Sequence, residues 1–249
     1  YTDCLSRVCK LANALVGLGI KKGDRVATLA WNGYRHLELY YGISGIGAVC
    51  HTINPRLSPE QMLYIIEHAG DRLLFVDTTF VPIIEKLIPK LPKNLVIIVM
   101  ASSDDSSTLS DNFLNYEQLI LESSHDIIWP ELPENTAAGL CYTSGTTGNP
   151  KGALYSHRST VLHALTTSLN LGPSLGDGMK VLPVVPLFHV NAWGLPYAAP
   201  LTGASLIFPG PNLDGGSLFN LMDQENVNSA WGVPTCLLYT SPSPRDGIG

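Results

Sequence analysis

Apolar runs of strand length alternate with helical repeats along most of the chain. Arg25–Ala30, Ala48–Thr52, Leu73–Val76 and Leu95–Val99 are short and nearly continuously apolar. Between them, helical spacing recurs: Leu5, Val8, Ala12, Leu15 and Val16 ahead of Gly19, then Arg35–Ile46, and then Ile83–Leu87. A further helix opens with Ser58 as cap and Pro59 at its first position. Parallel neighbours need a connection of about a dozen residues, and apolar runs without alternation imply burial on both faces. The alternation therefore predicts an α/β fold of mostly parallel sheets with helices on both faces.

The pattern pauses and then resumes. Residues 1–101 read as a first α/β lobe whose start is truncated, since Tyr1 is not an initiator methionine and a helix pattern follows almost at once. Residues 102–135 read as an acidic surface loop (Ser102–Ser110, SSDDSSTLS), a helix over Phe113–Leu121 and a proline-marked connector. Residues 136–238 read as a second, similar lobe, with strands at Ala138–Tyr142, Ala153–Ser156, Val181–Val185 and Ser205–Phe208. Its helices are expected over Thr160–Leu169, Ala192–Ala199 and Leu218–Glu225. The stretch 239–249, rich in Pro, Ser and Gly, breaks this pattern and is expected to be a non-native tail.

Composition narrows the function classes. The chain has 249 residues, 45% hydrophobic and 14% charged, enough apolar material for a sizeable core. A net charge of -6, with 15 basic residues dispersed singly, offers no stripe for a nucleic-acid backbone. Five widely spaced cysteines without a C-x-x-C pair argue against a disulfide framework or a zinc site. No apolar run reaches the roughly 18 to 20 residues of a membrane span. A cytoplasmic protein is expected, with an organelle such as peroxisome or mitochondrion left open.

The segment richest in chemistry is Tyr142-Thr143-Ser144-Gly145-Thr146-Thr147-Gly148-Asn149-Pro150-Lys151-Gly152. Its glycines permit positive φ and let successive backbone N–H groups turn inward on an anion, while four hydroxyls and one ammonium supply further donors. Hydrogen bonds to a charged group contribute about 1.5 to 3 kcal/mol each, so a few would hold a triphosphate. A Walker loop fails at two positions: Pro150 removes an N–H, and Gly152 stands where a metal-binding hydroxyl should come after the lysine. The residues beyond Gly152 also read as a strand rather than the helix a Walker loop enters. A flexible Gly/Thr surface loop is the plainer alternative.

This motif resembles the signature of the adenylate-forming superfamily of acyl-CoA synthetases, luciferases and peptide-synthetase adenylation domains. The resemblance implies the N-terminal large domain of that fold, incomplete. It also implies phosphate contacts from Thr143, Ser144, Gly145, Thr146, Thr147, Gly148 and Lys151, with Thr146 reaching Mg2+ as well. A second segment, Pro186-Leu187-Phe188-His189-Val190-Asn191-Ala192-Trp193-Gly194-Leu195-Pro196-Tyr197, comes after a strand at the carboxyl edge of a sheet, where open α/β folds bind ligands. Alone, His189 reads as a hydrogen-bonded histidine at a helix start and Trp193 as core. The segment is similar to that of medium- and long-chain fatty-acyl-CoA synthetases, which implies His189 beside the acyl phosphate, Val190 against the acid and Trp193 closing an acyl channel. Weaker similarities at Gly23-Asp24-Arg25-Val26, Gly47-Ala48-Val49 and Gly232-Val233-Pro234-Thr235 are read as structural.

The implied reaction is ATP-dependent activation of a fatty acid to an acyl-adenylate and then to acyl-CoA, by an AMP-forming acid–thiol ligase. Lys151 and His189 are the implied catalytic residues. The implied small-molecule partners are fatty acid, ATP and CoA, with Mg2+; no nucleic acid is expected, and a homodimer is left open. In the family, the adenine and ribose contacts, the acidic Mg2+ partner, the hinge and a C-terminal-domain lysine lie downstream, so these 249 residues alone are expected not to turn over. Two alternatives remain: a non-catalytic remnant or binding module, and a related ligase for a short-chain, aryl or sulfur-containing acid.

Overall fold

A computed structural model describes residues 1–102, 112–143, 149–171 and 174–233. They divide into two compact units, Tyr1–Ala30 with Tyr34–Ser159, and Trp31–Gly33 with the chain from Thr160 onward.

The first unit is built on a seven-stranded sheet. Its strands are β1 (Arg25–Leu29), β2 (Val49–Thr52), β3 (Asp71–Val76), β4 (Val96–Val99), β5 (Phe113–Asn115), β6 (Ala137–Thr143) and β7 (Lys151–Ser156), in the order β5-β4-β3-β1-β2-β6-β7. Every neighbouring pair is parallel except β6 with β7. Side chains of alternate residues leave opposite faces, and both faces are covered. On one face Ala27, Leu29, Ile53, Leu74, Val76, Ile97 and Val99 pack with Met62, Ile65 and Ile66 of α3 (Pro59–Ala69) and Ile84 and Leu87 of α4 (Val81–Leu87). On the other, Phe75 meets Tyr116 of α5 (Tyr116–Leu121) edge to face at 5.9 Å, and the Thr28 hydroxyl lies 3.0 Å from His36 Nε2 of α2 (Tyr34–Gly45). α1 (Thr2–Gly17) packs along α2. This double burial is the reason the strands read as unbroken apolar runs.

Local signals set the helix ends. Ser58 caps α3 with a capping box: its hydroxyl accepts from the Gln61 N–H, and the Gln61 side chain accepts from the Ser58 N–H. Gly70, at φ 65°, ends it in the left-handed conformation.

The second unit holds a three-stranded parallel sheet, β8 (Lys180–Pro183), β9 (Ser205–Leu206) and β10 (Ser229–Trp231), ordered β10-β8-β9. Its helices are α7 (Leu195–Thr202) and α8 (Gly215–Glu225). α6 (His157–Asn170) carries the chain across the division between units.

Three differences from the sequence expectation have physical causes. The two units part after Ser159 rather than at residue 136, because Ala137–Thr143 extends the first sheet beside β2 and Lys151–Ser156 returns antiparallel along it. Phe113–Asn115 pairs with β4 as an edge strand, so only Tyr116–Leu121 of the expected helix is helical, with the Asn115 side chain accepting from the Gln118 N–H as its cap. The helix expected from Ala192 begins at Leu195 instead. Ala192 and Trp193 take φ values of 45° and 55°, which no right-handed helix can include. The acidic loop 103–111 and the stretch 239–249 lie outside the described residues.

Candidate functional site

β6 runs parallel to β2, so Thr143 emerges at the carboxyl edge of the first sheet, the edge at which open α/β sheets bind ligands. Thr143 stands opposite Lys151 as the last pair of the β6–β7 ladder, and the Thr143 hydroxyl donates to the Lys151 carbonyl at 3.4 Å. Both residues are exposed. Ser144, Gly145, Thr146, Thr147 and Gly148, the centre of the expected phosphate loop, lie outside the described residues. From Lys151 the chain continues as a strand, as expected, and not as the helix that a Walker loop would enter. Gly152 faces Tyr142 across the ladder, and a Cβ there would sit 3.0 Å from a Leu140 methyl and 3.4 Å from the Tyr142 ring. A side chain next to the lysine would therefore press on Leu140 and Tyr142.

Tyr142 fixes the strand just before the loop. Its hydroxyl is 2.7 Å from His68 Nδ1 on α3, and its ring is 5.1 Å from that of His51 on β2. His51 and Asp71 are fully buried and share a 2.8 Å contact between Nδ1 and Oδ2. Burial pushes the Asp71 carboxyl up, against the pull of His51 and Arg25. His51 and Asp71 carry no signal in the sequence, because each sits in a strand and 20 residues separate the two.

The second segment leaves β8 through Pro183–Leu187. The His189 N–H donates to the Pro186 carbonyl at 3.1 Å, and the His189 carbonyl accepts from the Ala192 N–H at 3.1 Å. The His189 ring is exposed. Val190, Asn191, Ala192 and Trp193 take φ values of 48°, 48°, 45° and 55°, a left-handed turn built without glycine. Left-handed backbone costs roughly 1–2 kcal/mol per L-residue, so this turn is strained. Gly194 continues it at φ 77°, and a Cβ there would fall 2.5 Å from His163 Nδ1. Ala192 is buried, whereas Val190 and Trp193 stay 43% and 38% exposed, so Trp193 is not a core residue; its ring lies 6.5 Å from that of Trp231. His189, Val190 and Trp193 thus share one short segment of the second unit, and Thr143 and Lys151 share one strand pair of the first.

Residues 1–244 match the family model described as "AMP-binding enzyme". The chain belongs to the AMP-binding enzyme family. Among curated relatives, it is 52% identical over 229 residues to the medium-chain-fatty-acid–CoA ligase of Ectopseudomonas oleovorans, covering 92% of this chain and 42% of that protein. It is 50% identical over 229 residues to the 3-methylmercaptopropionyl-CoA ligase of Ruegeria lacuscaerulensis, covering 91% of this chain and 42% of that one. A crystal structure of the N-terminal domain of FACL13 from Mycobacterium tuberculosis, with an inhibitor bound, superposes with a TM-score of 0.81 at 26% identity, covering 99% of this chain and 58% of that one. This member of the AMP-binding family therefore spans less than half the length of the curated relatives it matches. Among the described residues, no helix is long and apolar enough to cross a membrane, and no three His, Cys, Asp or Glu side chains converge as a metal-ligand group.

Proposed function

We infer that the protein carrying this chain activates a fatty acid with ATP and transfers it to CoA. The observation that carries this reading is that Thr143 and Lys151, the two ends of the Thr143-to-Lys151 motif, pair at the carboxyl edge of a mostly parallel sheet in a chain of the AMP-binding family. In the first step a carboxylate oxygen attacks the α-phosphorus of ATP, and the bond to the bridging oxygen breaks to release pyrophosphate. In the second, the CoA thiolate attacks the acyl carbon and AMP leaves. Phosphoryl chemistry asks a protein mainly for positioning and for stabilisation of developing charge.

Thr143, Ser144, Gly145, Thr146, Thr147 and Gly148 would cradle the β- and γ-phosphates, with the Lys151 ammonium offsetting the charge that grows on departing pyrophosphate. The Thr146 hydroxyl would join phosphate oxygens and waters around Mg2+, which takes few protein ligands at nucleotide sites and supplies charge neutralisation there. His189 would orient the acid rather than deprotonate it, because a carboxylate is already ionised at pH 7. Its exposed ring is consistent with a group that waits for a ligand. Val190 and Trp193 would face the acyl chain.

The test is acid-dependent conversion of ATP to AMP and pyrophosphate by the full reading frame, with octanoate as the acid; no acid-dependent AMP would refute the assignment. The 249 residues alone are expected to show none. The 50%-identical 3-methylmercaptopropionyl-CoA ligase favours a second reading, a short sulfur-containing acid as substrate. Comparing kcat/KM for octanoate and 3-methylmercaptopropionate separates the two, and Trp193→Ala tests the channel. If Trp193 closes an acyl channel, its removal is expected to raise kcat/KM for tetradecanoate relative to octanoate by about tenfold, the scale on which hydrophobic pockets discriminate chain length. An unchanged chain-length profile removes Trp193 from the pocket.

A further inference from the structure

Asn32 is an uncharged polar residue buried to 4% exposure, and its carboxamide is fully used. Nδ2 donates to the Pro183 carbonyl at 2.7 Å and to the Val185 carbonyl at 2.9 Å, and Oδ1 accepts from the Leu187 N–H at 2.7 Å. These partners lie 151 to 155 residues away. The Asn32 carbonyl also accepts from the Gly210 N–H at 3.0 Å, pinning the residue itself. Leu187 falls outside any strand, two residues before His189. A carboxamide offers two donors and one acceptor on one short side chain. Aspartate would set an anion against two carbonyl oxygens, and alanine would remove all three of these side-chain bonds.

We propose that Asn32 is a positioning residue for the acid-binding segment. It locks Pro183–Leu187, so that the strained left-handed turn at Val190–Trp193 starts from a fixed point and presents His189 and Trp193 in one geometry. A turn of this kind persists only where its surroundings over-determine it. Asn32 fixes its entry. At its exit, Gly194 at φ 77° runs close to the His163 ring, so a side chain there would displace the ring and strain the backbone.

The proposal rests on the assignment of His189–Trp193 to the acid, so its test separates the two. In the full reading frame with Mg-ATP, CoA and octanoate, Asn32→Ala is expected to raise KM for octanoate tenfold or more and to leave KM for ATP within twofold. Asn32→Asp is expected to do the same. A proportional rise in both constants, or an unchanged octanoate KM, overturns the positioning role. Should neither variant fold, amide exchange on the unaltered protein decides: the Leu187 N–H is expected to exchange as slowly as those of Val181 and Leu182, and rapid exchange overturns the clamp. Absence of octanoate-dependent turnover by the unaltered protein would instead overturn the parent assignment, and the substrate role of Asn32 with it.

Discussion

Lys151→Ala is expected to lower kcat of the full-length protein about 10²- to 10³-fold in octanoate-dependent pyrophosphate release, while the fold survives. The size reflects the interaction that is removed. A single preorganised donor aimed at charge that develops in the transition state contributes about 2.7–4 kcal/mol. Lys151 opens β7 opposite Thr143 at the exposed end of the β6–β7 ladder, so its backbone is held in strand pairing while its ammonium stays free to meet a ligand. Because the residue is exposed, its loss should change stability by about 0.5 kcal/mol or less. Lys151→Arg is expected to recover only part of the rate, since a planar fork does not reproduce a point charge on a flexible stem. Wild-type kcat in Lys151→Ala would remove the residue from the charge-stabilising role.

The features legible in the sequence are those encoded by neighbours along the chain. β1 to β4 were legible because each is a short, mostly apolar run, and α3 because Ser58, Pro59 and Gln61 lie within one turn of its start. The rest depends on residues brought together from a distance. Nothing local in Ala137–Thr143 says that it extends the first sheet or that its successor returns antiparallel. The left-handed turn at Val190–Trp193 was illegible for a sharper reason. Helical spacing placed Ala192 and Trp193 in a right-handed helix, whereas both lie in a run of positive φ that no local pattern announces. Asn32 itself reads as half of an Asn-Gly turn. The one available hint was its position just beyond the carboxyl end of a parallel strand, where functional residues of α/β sheets collect.

Glu38→Ala is expected to cost about 3–5 kcal/mol, the usual penalty for removing one partner of a buried ion pair. Glu38 is 1% exposed and takes Arg7 in a fork, with Nε to Oε1 at 2.6 Å and Nη2 to Oε2 at 3.2 Å. The Tyr116 hydroxyl donates to Oε2 at 2.7 Å. Burial, reinforced by the charge of Glu38, pushes the Tyr116 phenol up, so it remains a protonated donor. Without Glu38, that hydroxyl loses its acceptor and the Arg7 Nε loses its partner, while Nη1 and Nη2 keep Glu117. Arg7 keeps Glu117 at 2.9 Å, which places the expected cost at the lower end of the range and the fall in Tm at roughly 6–12 °C for a chain of this size. Acid sensitivity checks the same network. Burial tends to raise Glu117, but hydrogen bonds from Arg7 and Arg35 outweigh it and hold the carboxyl below its ordinary value. A depressed carboxyl contributes stability that is fully present above its unfolded value, about 4.3, and is lost as pH falls through the lower folded value. Denaturant midpoints measured from pH 6 down to pH 3 should therefore fall more steeply in the unaltered protein than in Glu117→Gln. Equal slopes would mean that the arginines stabilise the unit by packing alone.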